Sequence, residues 1–410
     1  MSVADLVVRD AAPPTAFGTE ARIDVVVRGG VIAAADRGAA DGVESLVAID
    51  ADGGMVTPAF VEAHWHADKF ESLAGGSHVP AGPERVRALR AGYTVADVAA
   101  RAERGMRLAL AQGVTRARVT VDVSPAVGFV ALEGVLVARE AIGSQMTIQL
   151  CALPEGAVLQ DTATRDLVEE SFRMGIEVLG AYPNGAGAVA DGLAELDAAF
   201  AMAERLDVPL DVHVDEEAGP DQVMLEPLAE RVLARGWGDR VLADHAVALE
   251  TYAAADRDRI VNLVARAGLP VCVMPNNLSW EPQARGGLGM VRRLREAGVT
   301  VCAGTDNAND GYFAFGNLDP VERAYLVALG GALENEDAAA IGWDMVGASA
   351  AAAIGVPHGS LEVGGPADLV VFAARGIVEA MRRLPGRRTV IRAGRVVAGA
   401  EGSIWTEGAS

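Results

Sequence analysis

The sequence predicts an α/β fold, a (β/α)8 barrel of the TIM type with a small β-sandwich domain formed from both termini. Three observations predict it. Eight short apolar runs recur along the chain, stretches with helical spacing separate them, and glycine-punctuated β-type runs occupy both ends. The 410 residues exceed one average domain, but they suit a barrel with a small appended domain.

The predicted barrel strands are short apolar runs. They lie at residues 55–61, 117–123, 146–153, 176–182, 208–214, 240–246, 269–275 and 298–305. Stretches such as LAELDAAFAMAERL and QVMLEPLAERVLARG repeat apolar residues every three or four positions, which is typical of helices packed on the outside of a barrel. We therefore predict the barrel over residues 55–357.

Both ends of the chain have a β-type pattern instead. The first segment, residues 1–54, contains ARIDVVVRGGVIAAA and SLVAIDADGG, and residues 358–410 contain ADLVVFAA and RTVIRAGRVVAG. Two β-rich ends around a βα array predict one small β domain assembled from both segments.

Composition narrows the possible partners. The net charge of −21 would repel nucleic acid phosphates and acidic membrane surfaces, so we expect neither as a partner. No basic region followed by a long apolar stretch stands at the N-terminus, which favours a cytoplasmic location. The three cysteines lie inside apolar runs and are expected to be buried, reduced thiols.

Histidines recur at the carboxyl ends of the predicted strands. His64 and His66 are one residue apart in HWHADK and share a strand face, a pattern typical of a metal site or of two surface histidines. The fifth and sixth predicted strands end with His213 and His245, and Asp306 directly follows the eighth. Because barrels carry their chemistry at this rim, the set predicts a divalent metal site for zinc or iron, with manganese also possible.

Acid–base groups accompany this set. Glu216 lies three residues after His213, where it is either a proton shuttle or a solvated loop acid, and the adjacent Asp215 has a positioning or a structural role. We expect His245 to hydrogen-bond the attacking water or the tetrahedral adduct. Asp306 is expected to be both a metal ligand and a proton acceptor.

Several motifs resemble the amidohydrolase superfamily, and within it the cytosine deaminase-like branch. They are TPAFVEAHWHADK, DVHVDE, ADHAVAL and AGTDNANDGYFAFGNLDP. The resemblance implies a homo-oligomeric enzyme with one catalytic metal that hydrolytically deaminates a cyclic amidine. It also implies that the metal ligands are His64, His66, His213 and Asp306, that Glu216 is the proton shuttle and that His245 hydrogen-bonds the attacking hydroxide.

The number of metal ions follows from the single lysine. Relatives with two metals bridged by a carbamylated lysine need that lysine at the end of the fourth strand, where this chain has VLGAYPN. Lys69 is the only lysine and lies just after the first strand. A pair of metals bridged by lysine is therefore not expected, and a mononuclear centre is predicted, with a second metal bridged by another group as the alternative.

Departures from the branch bear on the substrate. Cytosine deaminases resemble this chain around Glu155 but have an amide side chain at that position. They have a second acid at the position of Asn307 and a bulky indole side chain at the position of Tyr312. We expect these three residues to contact a heterocycle other than cytosine, such as isocytosine, an aminotriazine, an amino-imidazole or a pyrimidinone. A carboxylate at position 155 favours a ring that presents hydrogen-bond donors or a positive charge.

Two alternatives to deamination remain open at this point. The same centre can hydrolyse another bond, by displacing alkylamine, chloride or nitrite from a heterocycle or by opening a cyclic amide. A barrel that had lost its chemistry would serve as a binding module, but such a chain should lack the ligand set that this sequence keeps.

Overall fold

The computed structural model describes residues 3–73, 80–154, 156, 159–219, 221–333, 336–384 and 388–399. Its strands are β1 Ala4–Ala11, β2 Ile23–Arg28, β3 Val31–Asp36, β4 Ser45–Asp50, β5 Val56–Pro58, β6 Phe60–His66, β7 Val114–Asp122, β8 Thr147–Leu153, β9 Val178–Ala181, β10 Leu210–Val214, β11 Val241–His245, β12 Val271–Val273, β13 Val301–Ala303, β14 Leu369–Phe372, β15 Arg388–Arg392 and β16 Arg395–Gly399.

Helices follow most of the barrel strands. They are α1 Pro83–Arg90, α2 Val95–Ala111, α3 Val130–Ile142, α4 Thr162–Met174, α5 Val189–Leu206, α6 Leu225–Arg235, α7 Ala254–Ala267, α8 Val291–Glu296, α9 Pro320–Gly330, α10 Glu336–Met345, α11 Ala348–Ala353 and α12 Ile377–Arg383. Among the described residues, no helix has both the length and the apolar character needed to span a bilayer.

Eight parallel strands, β6 to β13 in chain order, form the barrel. The first and last strands meet through Asp306, whose N–H donates to the His64 carbonyl at 2.8 Å and whose carbonyl accepts the His66 N–H at 3.1 Å. The TIM-type barrel is therefore confirmed, and its closure brings the residues of β6 beside those that follow β13.

The first predicted strand is divided between two sheets. Residues 56–58 pair antiparallel with β14, whereas the barrel strand begins at Phe60. Pro58 has no N–H to donate, and it stands where the chain passes from one sheet to the other. The two β-rich ends form four-stranded sheets with the orders β3-β2-β1-β4 and β16-β15-β14-β5.

Side chains along β6 point alternately towards the surrounding helices and into the barrel. Trp65 is fully buried and packs outward against α2, where a Cβ at Gly105 would come within 2.6 Å of the indole. Only glycine permits this approach. His64 and His66 flank Trp65 and therefore both point into the barrel, held by a tightly packed residue between them.

Candidate metal centre and active site

Four buried histidines meet at the carboxyl end of the barrel strands. His64 and His66 end β6, while His213 and His245 come from β10 and β11. The Nε2 atoms of His64 and His66 are 3.3 Å apart. The ring centroid of His213 lies 4.6 Å from that of His64 and 5.1 Å from that of His245. The sequence-predicted histidines are thus brought together in one cluster.

Asp306 completes the cluster from the loop after β13. Its Oδ1 lies 3.2 Å from His66 Nε2 and 3.7 Å from His64 Nε2, and its Oδ2 accepts a hydrogen bond from Asn276 at 3.2 Å. Asp306 and His245 have φ angles of 62° and 70°, in the left-handed region that non-glycine residues rarely occupy. Such conformations concentrate at functional sites, and here they occur where two strands end at the cluster.

A layer of buried charge underlies the histidines. His64 Nδ1 is 3.0 Å from Asp244 Oδ2 and 3.6 Å from Asp211 Oδ1, and His213 Nδ1 is 3.8 Å from Asp244 Oδ2. Arg118 holds Asp211 at 2.8 Å. An imidazole that donates its Nδ1–H to a carboxylate presents the lone pair of Nε2 on its other side, as metal-binding histidines do.

This layer sets the protonation of His64. Burial alone would lower its pKa, but Asp244 and Asp211 raise the pKa of His64 well above its usual value. Although burial opposes it, hydrogen bonds from Asp244 and His64 and the charge of Arg118 hold the pKa of Asp211 well below normal. Burial and the charge of Asp211 raise the pKa of Asp244. The two carboxyl groups beside Nδ1 therefore favour a proton on the His64 imidazole.

Glu62 fixes the backbone on both sides of the barrel closure. Its Oε1 accepts the N–H of His64 at 3.1 Å and that of Thr305 at 3.0 Å. Its Oε2 accepts the Thr305 hydroxyl at 2.5 Å and lies 2.6 Å from Arg323 Nη1. Since Thr305 directly precedes Asp306, one buried carboxylate positions the chain next to two candidate ligands.

The donor set fits a divalent metal ion. Three ring nitrogens of the cluster have no hydrogen-bond partner among the described residues: Nδ1 and Nε2 of His213 and Nε2 of His245. Buried polar atoms normally have such a partner. His64, His213 and His245 offer ligand atoms within 4.8 Å of one another, and so do His64, His66 and Asp306. Imidazole nitrogens with one carboxylate suit zinc, iron or manganese.

Most of these donors are unprotonated near neutral pH. Burial lowers the pKa of His66 to about 3 and the pKa of His245 to about 4. Burial and the charge of a neighbouring histidine lower the pKa of His213 well below normal. Burial opposes ionisation of Asp306, but the hydrogen bond with His66 and the nearby histidines hold its pKa well below the usual value. Metal ligands must be deprotonated, and His64, whose pKa is raised by Asp244 and Asp211, is the exception among these donors.

Glu216 reaches the cluster from the loop after β10. Glu216, His245 and Asp306 offer ligand atoms within 4.8 Å of one another. Burial and the charge of Asp306 raise the pKa of Glu216 to about 8, while the positive charge of Lys69 opposes the rise. A carboxyl group with a pKa near neutrality both accepts and donates protons readily under physiological conditions.

Asp215 has a structural role in the loop that carries Glu216. Its Oδ1 accepts the N–H of Met224 at 2.7 Å and its Oδ2 that of Leu225 at 2.9 Å. Its own N–H donates to Asn184 Oδ1 at 2.9 Å. These bonds tie the start of the loop to the helix that follows it, so the position of Glu216 is defined by its neighbour.

The structure describes two of the three predicted substrate contacts. Asn307 is buried and, together with Asn276, lines a cavity of about 340 Å³ beside the end of β13. Tyr312 is half-buried, and its ring centroid lies 5.2 Å from Lys69 Nζ. Glu155 lies outside the described residues.

The sequence reasoning missed the acids that hold the histidines. Glu62 and Asp211 stand two residues before His64 and His213, so the period of two along a strand could have placed them on the same face. Asp244 gave no such signal, because a regular strand would turn it away from the face of its neighbour His245. The left-handed backbone of His245 lets both residues reach the cluster.

Comparisons with known proteins agree with this geometry. The sequence profile of the amidohydrolase family matches residues 55–397. A pterin deaminase of Rhizobium rhizogenes is 31% identical over 376 residues, which cover 86% of this chain and 82% of the relative.

Two solved structures are also similar. An N-isopropylammelide isopropylaminohydrolase from Burkholderia multivorans superposes with a TM-score of 0.82 at 28% identity, over 97% of this chain and 99% of that one. A 5-methylcytosine deaminase from Klebsiella pneumoniae superposes with a TM-score of 0.86 at 25% identity, over 96% of this chain and 98% of that one.

Proposed function

Because this chain belongs to the amidohydrolase family, we propose that it is a metal-dependent hydrolase that deaminates a cyclic amidine in an amino-heterocycle and releases ammonia. The observation that carries the proposal is the convergence of His64, His66, His213 and Asp306 beside Glu216. A metal-binding donor set and a proton-transferring carboxyl group share one buried cluster. The names of the relatives support a nitrogen heterocycle as substrate, since they are pterin, N-isopropylammelide and 5-methylcytosine hydrolases.

Each residue has a role in this proposal. The metal would be held by His64, His66, His213 and Asp306. When bound, it would act as a Lewis acid that activates water near neutral pH. Glu216 takes a proton from the attacking water and delivers it to the ring nitrogen of the amidine.

The tetrahedral centre and the leaving group need two further contacts. His245 donates a hydrogen bond to the developing tetrahedral centre, and Asn277, 3.1 Å from His245 Nδ1, orients that ring. Asp306 accepts the remaining hydroxyl proton of the tetrahedral adduct and passes it to the amino group, which departs as ammonia as the ring carbonyl forms.

We propose one metal ion per chain, zinc or iron, with manganese as a further possibility. The sequence of β9 and the segment after it, VLGAYPN, contains no lysine to form a bridging carbamate. Lys69 lies three residues after His66, at the end of β6, and β7 and β8 separate that strand from β9. This supports a mononuclear centre.

The substrate contacts are proposed to be Glu155, Asn307 and Tyr312. Asn307 follows Asp306 directly, and Tyr312 lies in the same loop, so both belong to the segment that carries a candidate ligand. These residues differ from those expected for cytosine itself. We therefore propose isocytosine, an aminotriazine, an amino-imidazole or a related oxo-heterocycle such as a pterin.

One alternative reaction has specific support. The similarity to an N-isopropylammelide isopropylaminohydrolase, at 28% identity over nearly the whole chain, favours displacement of an alkylamine by the same centre. Attack on the ring carbon and protonation by Glu216 would be the same in both reactions. The released amine distinguishes them.

We further propose that residues 1–54 and 358–410 form the small β domain and residues 55–357 the barrel domain. The two four-stranded sheets support this division, although β5, Val56–Pro58, pairs with β14 of the C-terminal segment and lies just inside the barrel range. A cytoplasmic location is supported by three cysteines that are buried and free. A homo-oligomer is also proposed, and light scattering of the purified chain would measure its size.

The proposal is tested by a screen of metal-loaded protein against aminated pyrimidines, triazines, imidazoles and pterins. Ammonia is measured with a coupled enzyme assay, and organic amines, chloride and nitrite by chromatography of the same samples. We expect ammonia from at least one amino-heterocycle and none after chelation. Release of an alkylamine alone would favour the alternative, and no product from any compound would contradict both.

A further inference from the structure

Lys69 is placed unusually for a lysine. It is the only lysine in a chain with 35 basic residues, and it follows the two histidines that end β6. The residue is 3% exposed, and its backbone N–H donates to the His66 carbonyl at 3.3 Å. Burial of an ammonium group costs several kcal/mol unless nearby groups compensate, so a buried lysine needs a specific reason.

The ammonium group of Lys69 lies beside the candidate active site. Its Nζ is 5.2 Å from the ring centroid of Tyr312, a proposed substrate contact. Burial and the positive charge of Lys69 lower the pKa of His66, and the same charge opposes the rise that burial causes in the pKa of Glu216 and of Asp310, so Lys69 acts on the region that holds these groups. Lys69 therefore places a positive charge near Glu216 and Asp310 and beside the proposed substrate contact Tyr312.

A buried cation of this kind selects for particular ligands. In a region of low dielectric, an ammonium group attracts an anion or a strong hydrogen-bond acceptor far more than it does in water. Lysine is a compact point charge with three donors on a flexible stem, which suits a single oxygen atom better than the planar fork of arginine does. The 34 other basic residues are arginines, so the choice of lysine here departs from the rest of the chain.

We propose that Lys69 binds an oxygen substituent on the substrate ring, so that the enzyme acts on amino-heterocycles that carry a carbonyl or enolate oxygen. This inference rests on the proposed function and names its substrate class. Lys69 donates to the ring oxygen, while Tyr312 packs beside the same ammonium group. Amino-heterocycles without a ring oxygen lack this contact and bind the site less well.

Matched substrate pairs test the proposal. Isocytosine and 2-aminopyrimidine differ in the ring oxygen, and so do pterin and 2-aminopteridine. We expect the wild type to prefer the oxygen-bearing member of a pair by at least about tenfold in kcat/KM. Lys69→Met should lower kcat/KM for that member by about 10- to 100-fold more than for the other, because a charged hydrogen bond is lost from one substrate only, whereas any effect of the lost charge on Glu216 is shared by both. Lys69→Arg keeps the positive charge, so its kcat/KM for the oxygen-bearing member should fall less than that of Lys69→Met.

A binding measurement keeps the test independent of turnover. Barbiturate is an anionic oxo-pyrimidine at neutral pH, and its Kd can be measured by calorimetry on each variant. We expect Lys69→Met to weaken barbiturate binding by about 10- to 100-fold and Lys69→Arg to weaken it less. Thermal unfolding and metal content of each variant show whether the fold and the centre are preserved.

The outcomes separate the two claims. Equal losses on both members of a pair, or an unchanged Kd for barbiturate, would overturn the proposal and leave Lys69 a structural residue. If barbiturate binding depends on Lys69 but no heterocycle is hydrolysed, the proposed reaction fails while the recognition of a ring oxygen stands.

Discussion

Asp244 Oδ2 lies 3.0 Å from Nδ1 of His64, at the base of the histidine cluster. The two side chains come from β11 and β6, which are not adjacent in the barrel. A carboxylate in this position fixes the tautomer and the orientation of the imidazole, so that Nε2 faces the other candidate ligands. The contact therefore links the barrel interior to the candidate metal centre.

Removing this carboxylate should weaken metal binding. We expect Asp244→Ala to lower zinc affinity about 10- to 100-fold, because His64 loses the group that orients it and raises its basicity. Asp244→Asn serves as the matched control: it keeps the shape and a carbonyl acceptor, and should cost less. Competition with a chromophoric chelator measures both affinities. Equal affinity in wild type and Asp244→Ala would show that the contact does not tune the centre.

Ionisation of Glu216 should determine how kcat/KM falls as the pH is lowered. The reaction begins with the carboxylate accepting a proton, so activity rises with pH as Glu216 ionises. Burial and the charge of Asp306 raise its pKa to about 8, above the usual 4.5, in the metal-free protein. A bound cation favours the carboxylate and lowers this value. The acidic limb of kcat/KM should therefore lie between those two values.

The variant Glu216→Gln checks this assignment. It should lose about 10²-fold or more in kcat, since proton transfer by a positioned group contributes about that much, while it retains metal. The acidic limb should disappear from whatever activity remains. A variant that kept full activity, or the same limb, would remove Glu216 from the mechanism.

The contacts of Glu62 should stabilise the barrel closure and the centre together. Thr305→Val removes the hydroxyl that Glu62 accepts at 2.5 Å. Because it leaves a buried charged acceptor with one donor fewer, we expect a loss of about 1–3 kcal/mol in the free energy of unfolding and weaker metal binding. Thr305→Ser retains the hydroxyl and should lose less of both. Urea denaturation of the metal-free variants supplies the first quantity and chelator competition the second.

The ion pair of Arg388 and Asp319 joins β15 to the start of α9. Arg388 Nη1 and Nη2 lie 2.8 and 2.6 Å from the two oxygens of Asp319, and both residues are buried. Arg388→Met leaves the Asp319 charge without this partner, so we expect a loss of about 3–5 kcal/mol in unfolding free energy. Metal affinity should stay the same, because neither residue belongs to the histidine cluster. Coupled loss of metal binding would mean that the C-terminal sheet controls the centre.

Much of this architecture could be predicted because the active-site residues of a (β/α)8 barrel lie at the carboxyl ends of its strands. The period of apolar runs indicated eight strands, and His213, His245 and Asp306 stood where those runs stop. Closure of the barrel then places the residues after β13 beside β6, which the sequence alone does not display. The fold prediction succeeded because it relied on repeated patterns, not on single residues.

Residues whose positions depend on local backbone geometry were harder to predict. Pro58 divides what reads as one strand between two sheets. Asp244 and His245 both reach the cluster only because His245 has a φ of 70°. Arg323 contacts Glu62 from α9, far away in sequence, and no periodicity indicates such a partner.

The central claim is that one metal ion in the cluster of His64, His66, His213 and Asp306 activates hydrolysis of an amino-heterocycle. The most direct measurement is titration of metal-free protein with zinc or iron while ammonia release is followed. Activity should be absent without metal, rise linearly and stop rising at about one equivalent per chain, as a tightly bound single ion requires. Ammonia release by metal-free protein, or a break at about two equivalents, would contradict the account.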